Sequence, residues 1–76
     1  MYYIIEISKV GDDPEAIAIR SYTDGVAAES DYYGTVASKL AALNDPNTDL
    51  KYALIQEEGI TGNIINTKYI HANEEV

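Results

Sequence analysis

The chain has 76 residues, no cysteine and a formal net charge of −8 at pH 7. These totals exclude a disulfide-stabilised fold and a cysteine-based zinc site, and the negative charge disfavours direct binding to nucleic acid or to an anionic membrane. A hydrophobic fraction of 46% predicts one folded domain, with residues 1–71 forming the domain and residues 72–76 a frayed tail.

The small size of the domain limits how it can be stabilised. A chain of this length buries only about 60 to 65% of its unfolded surface. Without disulfides or a structural metal, packing quality and oligomerisation remain as sources of stability. The apolar runs are too short to span a bilayer and no signal-like segment opens the sequence, which predicts a soluble, cytoplasmic protein.

Alternating residues at 2–10 and 15–22 predict two strands that form a hairpin. Ile5 and Ile7 share one side of the first strand with a tyrosine, and this side is fully apolar. In the second strand, Ile17 and Ile19 lie on one side, whereas Arg20 lies on the other. The turn residues between the strands include a glycine, two aspartates and a proline, which favour a tight connection.

The remaining elements are a helix and a second hairpin. Thr23, Asp24 and Gly25 are N-cap candidates, and the helix is predicted to end at about Leu43, before Asn44. Strands are predicted at 51–56 and 63–70, with 57–59 as the turn. The resulting ββαββ order predicts an α+β fold in which a four-stranded antiparallel sheet carries one helix on one face.

The predicted helix has two unlike sides. An apolar stripe, with Tyr32 on its margin, is predicted to cover the sheet; it contains Tyr33, Val36, Leu40 and Leu43. The opposite side is built of small residues: Ala27, Ser30, Gly34, Ser38 and Ala41. A glycine inside a helix costs about 1 kcal/mol relative to alanine, so we expect a homo-oligomer in which a second copy packs on this side. The alternative is an exposed alanine-rich helix without a partner.

No motif in the sequence indicates catalysis or metal binding. Glu29 lies in the apolar stripe and would suit a buried general base, although a carboxylate near a helix N-terminus more often stays hydrated at the core margin. His71 is interpreted as a terminal polar residue. The loop at 44–49 offers oxygen ligands for calcium but lacks the glycine and distal glutamate of a calcium-binding loop, and side chains that bond their own backbone explain its composition equally well. We therefore predict a non-enzymatic protein without cofactor or metal.

The only arginine gives the best candidate for ligand binding. Arg20 lies two residues before Tyr22, and Tyr32 and Tyr33 follow on the helix. A guanidinium beside aromatic rings can hold a phosphate while a ring stacks on a base. These four residues are the predicted ligand-binding set. The alternative is that Arg20 pairs with a neighbouring acid.

Three short motifs carry a resemblance to a known group of proteins. MYYIIEI at the start, AESDYY at 28–33 and EEG at 57–59 resemble short proteins encoded by phages, prophages and mobile elements of Gram-positive gut bacteria. In those relatives a histidine commonly follows the tyrosine of the AES motif, where this chain has Tyr33. The resemblance implies a phage-type accessory protein in the cytoplasm of a bacterial host.

Two functions follow as expectations. The first is a homo-oligomer that counters host immunity by sequestering a small nucleotide-type ligand at its subunit interfaces. The alternative is an acidic inhibitor that docks on a basic, nucleic-acid-binding groove of a host protein, which predicts one contiguous negative face. A regulatory or structural oligomer without any ligand is a third interpretation.

Overall fold

A computed structural model describes residues 1–71 and confirms the predicted ββαββ order. The elements are β1 (Tyr2–Val10), β2 (Ala16–Tyr22), α1 (Gly25–Leu43), β3 (Leu50–Glu58) and β4 (Ile64–His71). The predicted tail at 72–76 lies outside the described residues. All four strands belong to one antiparallel sheet, and the helix packs against it.

The strand order is β2-β1-β3-β4, so the two hairpins lie side by side and join through β1 and β3. The first hairpin closes through Gly11, whose φ of 56° lies in the left-handed region that glycine adopts without strain. Gly62, at φ 81°, serves the second hairpin in the same way. Gly11 also donates its backbone N–H to Asp49 O at 2.7 Å, which fixes this turn beside the loop that follows the helix.

The helix begins and ends where its capping residues predict. Asp24 is the N-cap and accepts a hydrogen bond from the backbone N–H of Val26, while Asn44 is the C-cap. The predicted hydrophobic stripe is right for Val36 and Leu43, which pack against the core, and wrong for Tyr33 and Leu40, which are exposed. Tyr32, predicted at the margin of the stripe, is buried. Glu29 is also exposed, so it is not a buried general base.

The core lies between the helix and one face of the sheet, which we call the covered face. Ile4, Ile55 and Ile70 supply its buried strand side chains, and Ala28 and Tyr32 supply the helix side. Alternation along the strands places the remaining isoleucines of β1 and β2 on the other face. The helix therefore does not cover the fully apolar side of β1.

The third strand is longer than the sequence predicts. Glu57 and Glu58 were assigned to a turn, but both belong to β3, and the chain turns at 59–63. Glu57 is only 2% exposed on the covered face, where its carboxylate accepts a hydrogen bond from Asn66 Nδ2 at 2.8 Å. Two acids followed by a glycine are typical of a turn. The burial of Glu57 depends on how the helix packs on the sheet, which the local sequence does not indicate.

Candidate functional site

The predicted ligand arginine lies in a polar network between β2 and the helix. Arg20 Nε donates to Asp31 Oδ2 at 2.7 Å, and its Nη2 donates to Asp31 Oδ1 at 3.0 Å. Its Nη1 donates to Glu6 Oε2 at 2.9 Å, and Lys39 Nζ lies 3.1 Å from the other oxygen of Glu6. Thr35 completes the network by accepting from Arg20 and donating to Asp31. Arg20 is therefore paired with acids, as the alternative interpretation predicted.

This pairing perturbs the ionisation of both carboxylates. The Arg20 guanidinium holds the pKa of Asp31 at about 2, against burial, which alone would raise it. For Glu6, burial also raises the pKa, but hydrogen bonds from Arg20 and Lys39 outweigh it and leave the pKa lowered. Both side chains are 14% exposed and remain ionised at neutral pH. They form a mostly buried anionic pair that neutralises the two cations.

The network lines an open cavity of about 330 Å³ beside the helix. Gly34 and Ser38 of the predicted subunit interface also line it. Four of the five N–H groups of Arg20 contact Asp31, Glu6 or Thr35. A phosphate entering the cavity would meet two carboxylates and would have to displace them from the guanidinium. The arrangement ties the helix to the sheet and suits an anionic ligand poorly.

Of the three predicted tyrosines, only Tyr22 lies beside Arg20. Tyr22 donates its hydroxyl to Asp31 at 2.5 Å, which raises the pKa of Tyr22. Tyr32 is buried in the core, and Tyr33 packs edge-to-face on it with ring centroids 5.1 Å apart. At about 100° per residue, Tyr33 and Asp31 lie on opposite flanks of the helix. Arg20 and Tyr22 thus meet at Asp31, whereas Tyr32 and Tyr33 belong to the core and to another surface.

The small-residue side of the helix faces away from the sheet. Of its five members, Ala27 is partly buried, and Ser30, Gly34, Ser38 and Ala41 are exposed. A Cβ at Gly34 would meet no atom within 4 Å, so nothing in the protomer requires glycine there. Packing of a second copy on this side stays a prediction.

A second cavity, of about 440 Å³, lies between the C-terminal half of the helix and β4. Leu40, Leu43 and Ile70 form its apolar part, and Lys68 and His71 contribute polar groups. None of the predicted site residues lines it. Within residues 1–71, no group of acidic or histidine side chains is arranged to hold a metal ion.

The loop at 44–49 has the local bonding predicted for it. Asp45 Oδ1 accepts from the backbone N–H of Asn47 at 2.9 Å, and Thr48 Oγ1 accepts from Leu50 N at 3.1 Å. These bonds are typical of turns stabilised by their own side chains. They account for the composition of the loop without a cation.

The largest unassigned feature is the side of the sheet opposite the helix, which we call the open face. The strand registers place fifteen side chains on it: Tyr3, Ile5, Ile7 and Lys9 of β1; Ile17, Ile19 and Ser21 of β2; Tyr52, Leu54, Gln56 and Glu58 of β3; and Ile64, Thr67, Tyr69 and His71 of β4. Its aliphatic patch spans β2, β1 and β3. Ile17 and Ile19 are 64% and 62% exposed, and Tyr69 is 55% exposed.

Polar and aromatic groups flank the aliphatic patch of the open face on the side of β4 and at its two ends, whereas Ile17 and Ile19 extend the patch to the edge strand β2. Tyr69 stacks on His71, with ring centroids 5.2 Å apart, and lies 5.9 Å from the ring of Tyr52. The Tyr52 hydroxyl donates to Glu15, which raises the pKa of Tyr52. At the other end, Gln56 donates to Glu58. Apolar residues flanked by polar and aromatic side chains are typical of a protein interface.

Sequence reasoning missed this surface although a signal was present. The alternation in β1 and β2 puts isoleucines on one side of both strands. Residues on the other side of β1 are also largely apolar, so one helix cannot cover both sides. A second apolar side in a two-layer fold is the pattern that indicates a partner.

Several acidic residues that are far apart in the sequence lie close together in the fold. The β1–β2 turn and the α1–β3 loop lie at the same end of the sheet, joined by the bond between Gly11 and Asp49. Five exposed carboxylates meet there, forming what we call the acidic end: Asp12, Asp13, Glu15, Asp45 and Asp49. The helix also ends there and has no basic residue in its last turn, so its carbonyl dipoles add negative potential.

Comparisons with known proteins identify no relative of this chain. The helix within residues 1–71 does not combine the length and hydropathy needed to cross a bilayer. The resemblance to short phage-encoded proteins stays a prediction. No family model, curated protein or solved structure matches the chain.

Proposed function

We propose that the protein is a non-catalytic binding protein that acts through contacts with another polypeptide, made by the open face. The observation that carries this proposal is the exposure of Ile17 and Ile19 at more than 60% in a sheet whose other face is covered by the helix. Large exposed apolar patches on small proteins usually mark interaction sites. Residues kept exposed against the hydrophobic effect contribute to binding rather than to the fold of the protomer.

A polypeptide partner is supported over a phosphorylated ligand by the state of Arg20. Its guanidinium is held by Asp31 and Glu6, and the Tyr22 hydroxyl donates to the same Asp31. The other two rings expected to stack on a base lie away from Arg20, in the core and on another surface. The sequestration of a nucleotide would need this network to open. Protein contact needs no rearrangement, because the open face is rigid sheet.

The first test compares an apolar probe with a nucleotide panel in dilute solution. We expect the neutral dye Nile red to fluoresce with the native protein and to lose most of that signal in the Ile17→Thr/Ile19→Thr variant. Threonine keeps the preference for strand structure while it removes apolar surface. The control is Ala41→Thr on the outward side of the helix, which should leave the signal unchanged. Cyclic nucleotides and ADP-ribose derivatives should not raise the melting temperature.

Two outcomes would contradict the proposal. One is Nile red fluorescence that is equal in the native protein and in the doubly substituted variant. The other is a nucleotide that raises the melting temperature of the native protein and loses its effect in an Arg20→Gln variant. The second result would restore the sequestration of a small ligand as the function.

The acidic end supports a second candidate function, docking on a basic groove of another protein. Five exposed carboxylates and the end of the helix dipole make this part of the surface predominantly negative, with Lys9, whose Nζ donates to Asp13 O, as a cation beside them. Opposite charges speed association and align partners, and salt screens both effects. This candidate uses a different surface from the open face, so the two can be tested separately.

The test for docking uses a panel of purified nucleic-acid-binding domains. At least one should bind in low salt, compete with duplex DNA, and lose roughly tenfold in affinity when the salt concentration rises about threefold. Neutralising Asp12, Asp13 and Asp45 to asparagine should weaken that binding, whereas the control Glu29→Gln should not. A binding affinity that changes neither with salt concentration nor with these substitutions would rule out docking through the acidic end.

A further inference from the structure

We propose that the partner of the open face is a second copy of this chain, so that two sheets pack face to face with their helices on the outside. This inference rests on the proposed function and deepens it by naming the occupant. Two antiparallel sheets joined in this way form a sandwich with a layer separation of about 10 Å. A symmetric dimer of this kind uses the same patch on both subunits.

The thin core of the protomer is the first reason for a second copy. Only seven apolar residues are buried among residues 1–71, and two of these are alanines. A chain of this length without cysteine needs another source of stability. Pairing two open faces would bury the isoleucines of β1 and β2 and give each sheet a second core.

The size of the open face is the second reason. Four strands spaced about 4.8 Å apart, with about seven residues rising about 3.3 Å each, present roughly 440 Å² of sheet. Two copies packed face to face would therefore bury roughly 900 Å² of flat sheet in total, and uneven side chains add to this area. The value is close to the roughly 1,000 Å² expected of a specific interface. An interface at this lower size limit is typical of a weak, reversible dimer.

The charges at the rim are the third reason. Lys9 lies at the end of the open face next to the acidic end, where its Nζ donates to Asp13 O at 2.5 Å, and Glu58 lies at the other end. A second copy turned end over end brings Lys9 of one copy towards Glu58 of the other. The acidic end lies beyond the sheet, and the net charge of −8 on each copy opposes association. Added salt screens that repulsion, so the dimer should strengthen with salt, opposite to docking on a basic groove.

Sedimentation equilibrium tests the dimer with variants matched in charge. The native protein should pass from monomer to dimer between about 1 and about 200 µM, the range in which an interface at the lower size limit dissociates. Ile17→Glu/Ile19→Glu adds two negative charges to the open face and should raise the dissociation constant at least about 100-fold, because charges would be buried without partners. Circular dichroism checks that this variant stays folded, and Ile17→Thr/Ile19→Thr replaces it otherwise.

The matched control is Ser30→Glu/Ala41→Glu, which adds the same two charges to the small-residue side of the helix. It should dimerise like the native protein. A native protein that is monomeric throughout the range, or a dimer that survives both changes on the open face, overturns the inference. So does a dimer lost in the helix variant, since that places the contact on the helix. The Nile red test reads the proposed function separately, because it needs an accessible open face and no dimer.

Discussion

Replacing Asp31 with asparagine is expected to lower the free energy of unfolding by about 2 to 3 kcal/mol at pH 7. Asp31 joins Arg20, Tyr22 and Thr35, and it ties the helix to the edge strand β2. Asparagine keeps the size of the side chain but loses the charge that the guanidinium needs. The remaining Glu6 would then have to balance Arg20 and Lys39 alone.

The pH dependence of this loss follows from the pKa of Asp31. The pKa is about 2 in the folded protein and 3.8 as the reference value, so folding favours the ionised form. This stabilisation is complete above the unfolded pKa and is lost as the pH falls from about 4 through about 2. The shift corresponds to about 2 kcal/mol.

Urea unfolding of the native protein and the Asp31→Asn variant measures the effect. The difference in unfolding free energy should shrink to less than about 1 kcal/mol at pH 2, where Asp31 is neutral in the unfolded state and only about half ionised in the folded state. The control is Asp49→Asn, an exposed residue of the α1–β3 loop, which should change stability by less than about 0.5 kcal/mol. Equal stabilities at pH 7 would show that the network contributes nothing. A difference that persists undiminished at pH 2 would show that the charge of Asp31 is not the source of the loss.

The order and type of the elements could be predicted because each has a local cause. Alternation defines β1 and β2, and the helix lies between an aspartate that caps its start and an asparagine that caps its end. The first strand, at residues 2–10, was predicted to the residue. Local signals were misleading at Glu57, where acids before a glycine suggest a turn, but the pairing with β1 extends the strand.

The sequence could not predict which face of the sheet the helix covers. Ile4 and Ile5 are both apolar and point to opposite sides of β1, so alternation alone does not distinguish them. Polar contacts decide it in the fold: Glu6 and Arg20 lie on the side of Ile4, and the helix supplies Asp31 and Lys39 to them. The hairpin register brings Glu6 and Arg20 to one face, but the helix partners depend on tertiary packing.

Only Arg20 and Tyr22 of the predicted ligand-binding set lie together, because the rotation of the helix relative to the sheet also depends on tertiary packing. Tyr32 and Tyr33 are adjacent in the chain, and a rotation of about 100° separates their side chains on a helix. A shift of one residue in the predicted buried stripe therefore assigns Tyr33 to the core, where the fold has Tyr32. Of the five small side chains opposite the sheet, Ala27 is partly buried and the other four are exposed, and their packing on a second copy stays a prediction.

The second large effect is expected from the core. Ile55 is fully buried between the sheet and the helix, and replacing it with alanine should cost about 3 kcal/mol, from lost burial and an unfilled cavity. Ile19 lies in the neighbouring hairpin on the open face, and the same change there should cost less than about 1 kcal/mol in the monomer. If Ile55→Ala does not fold, Ile55→Val and Ile19→Val give the same comparison at about 1 kcal/mol or less.

The central claim is that the open face contributes to binding and not to the stability of the protomer. Its most direct test is urea unfolding of Ile55→Ala and Ile19→Ala, compared at a protein concentration too low for dimer formation. We expect a large loss of stability for Ile55→Ala and a small one for Ile19→Ala. Equal losses would place Ile19 in the core of the protomer, and the open face would then have no surface to offer a second copy.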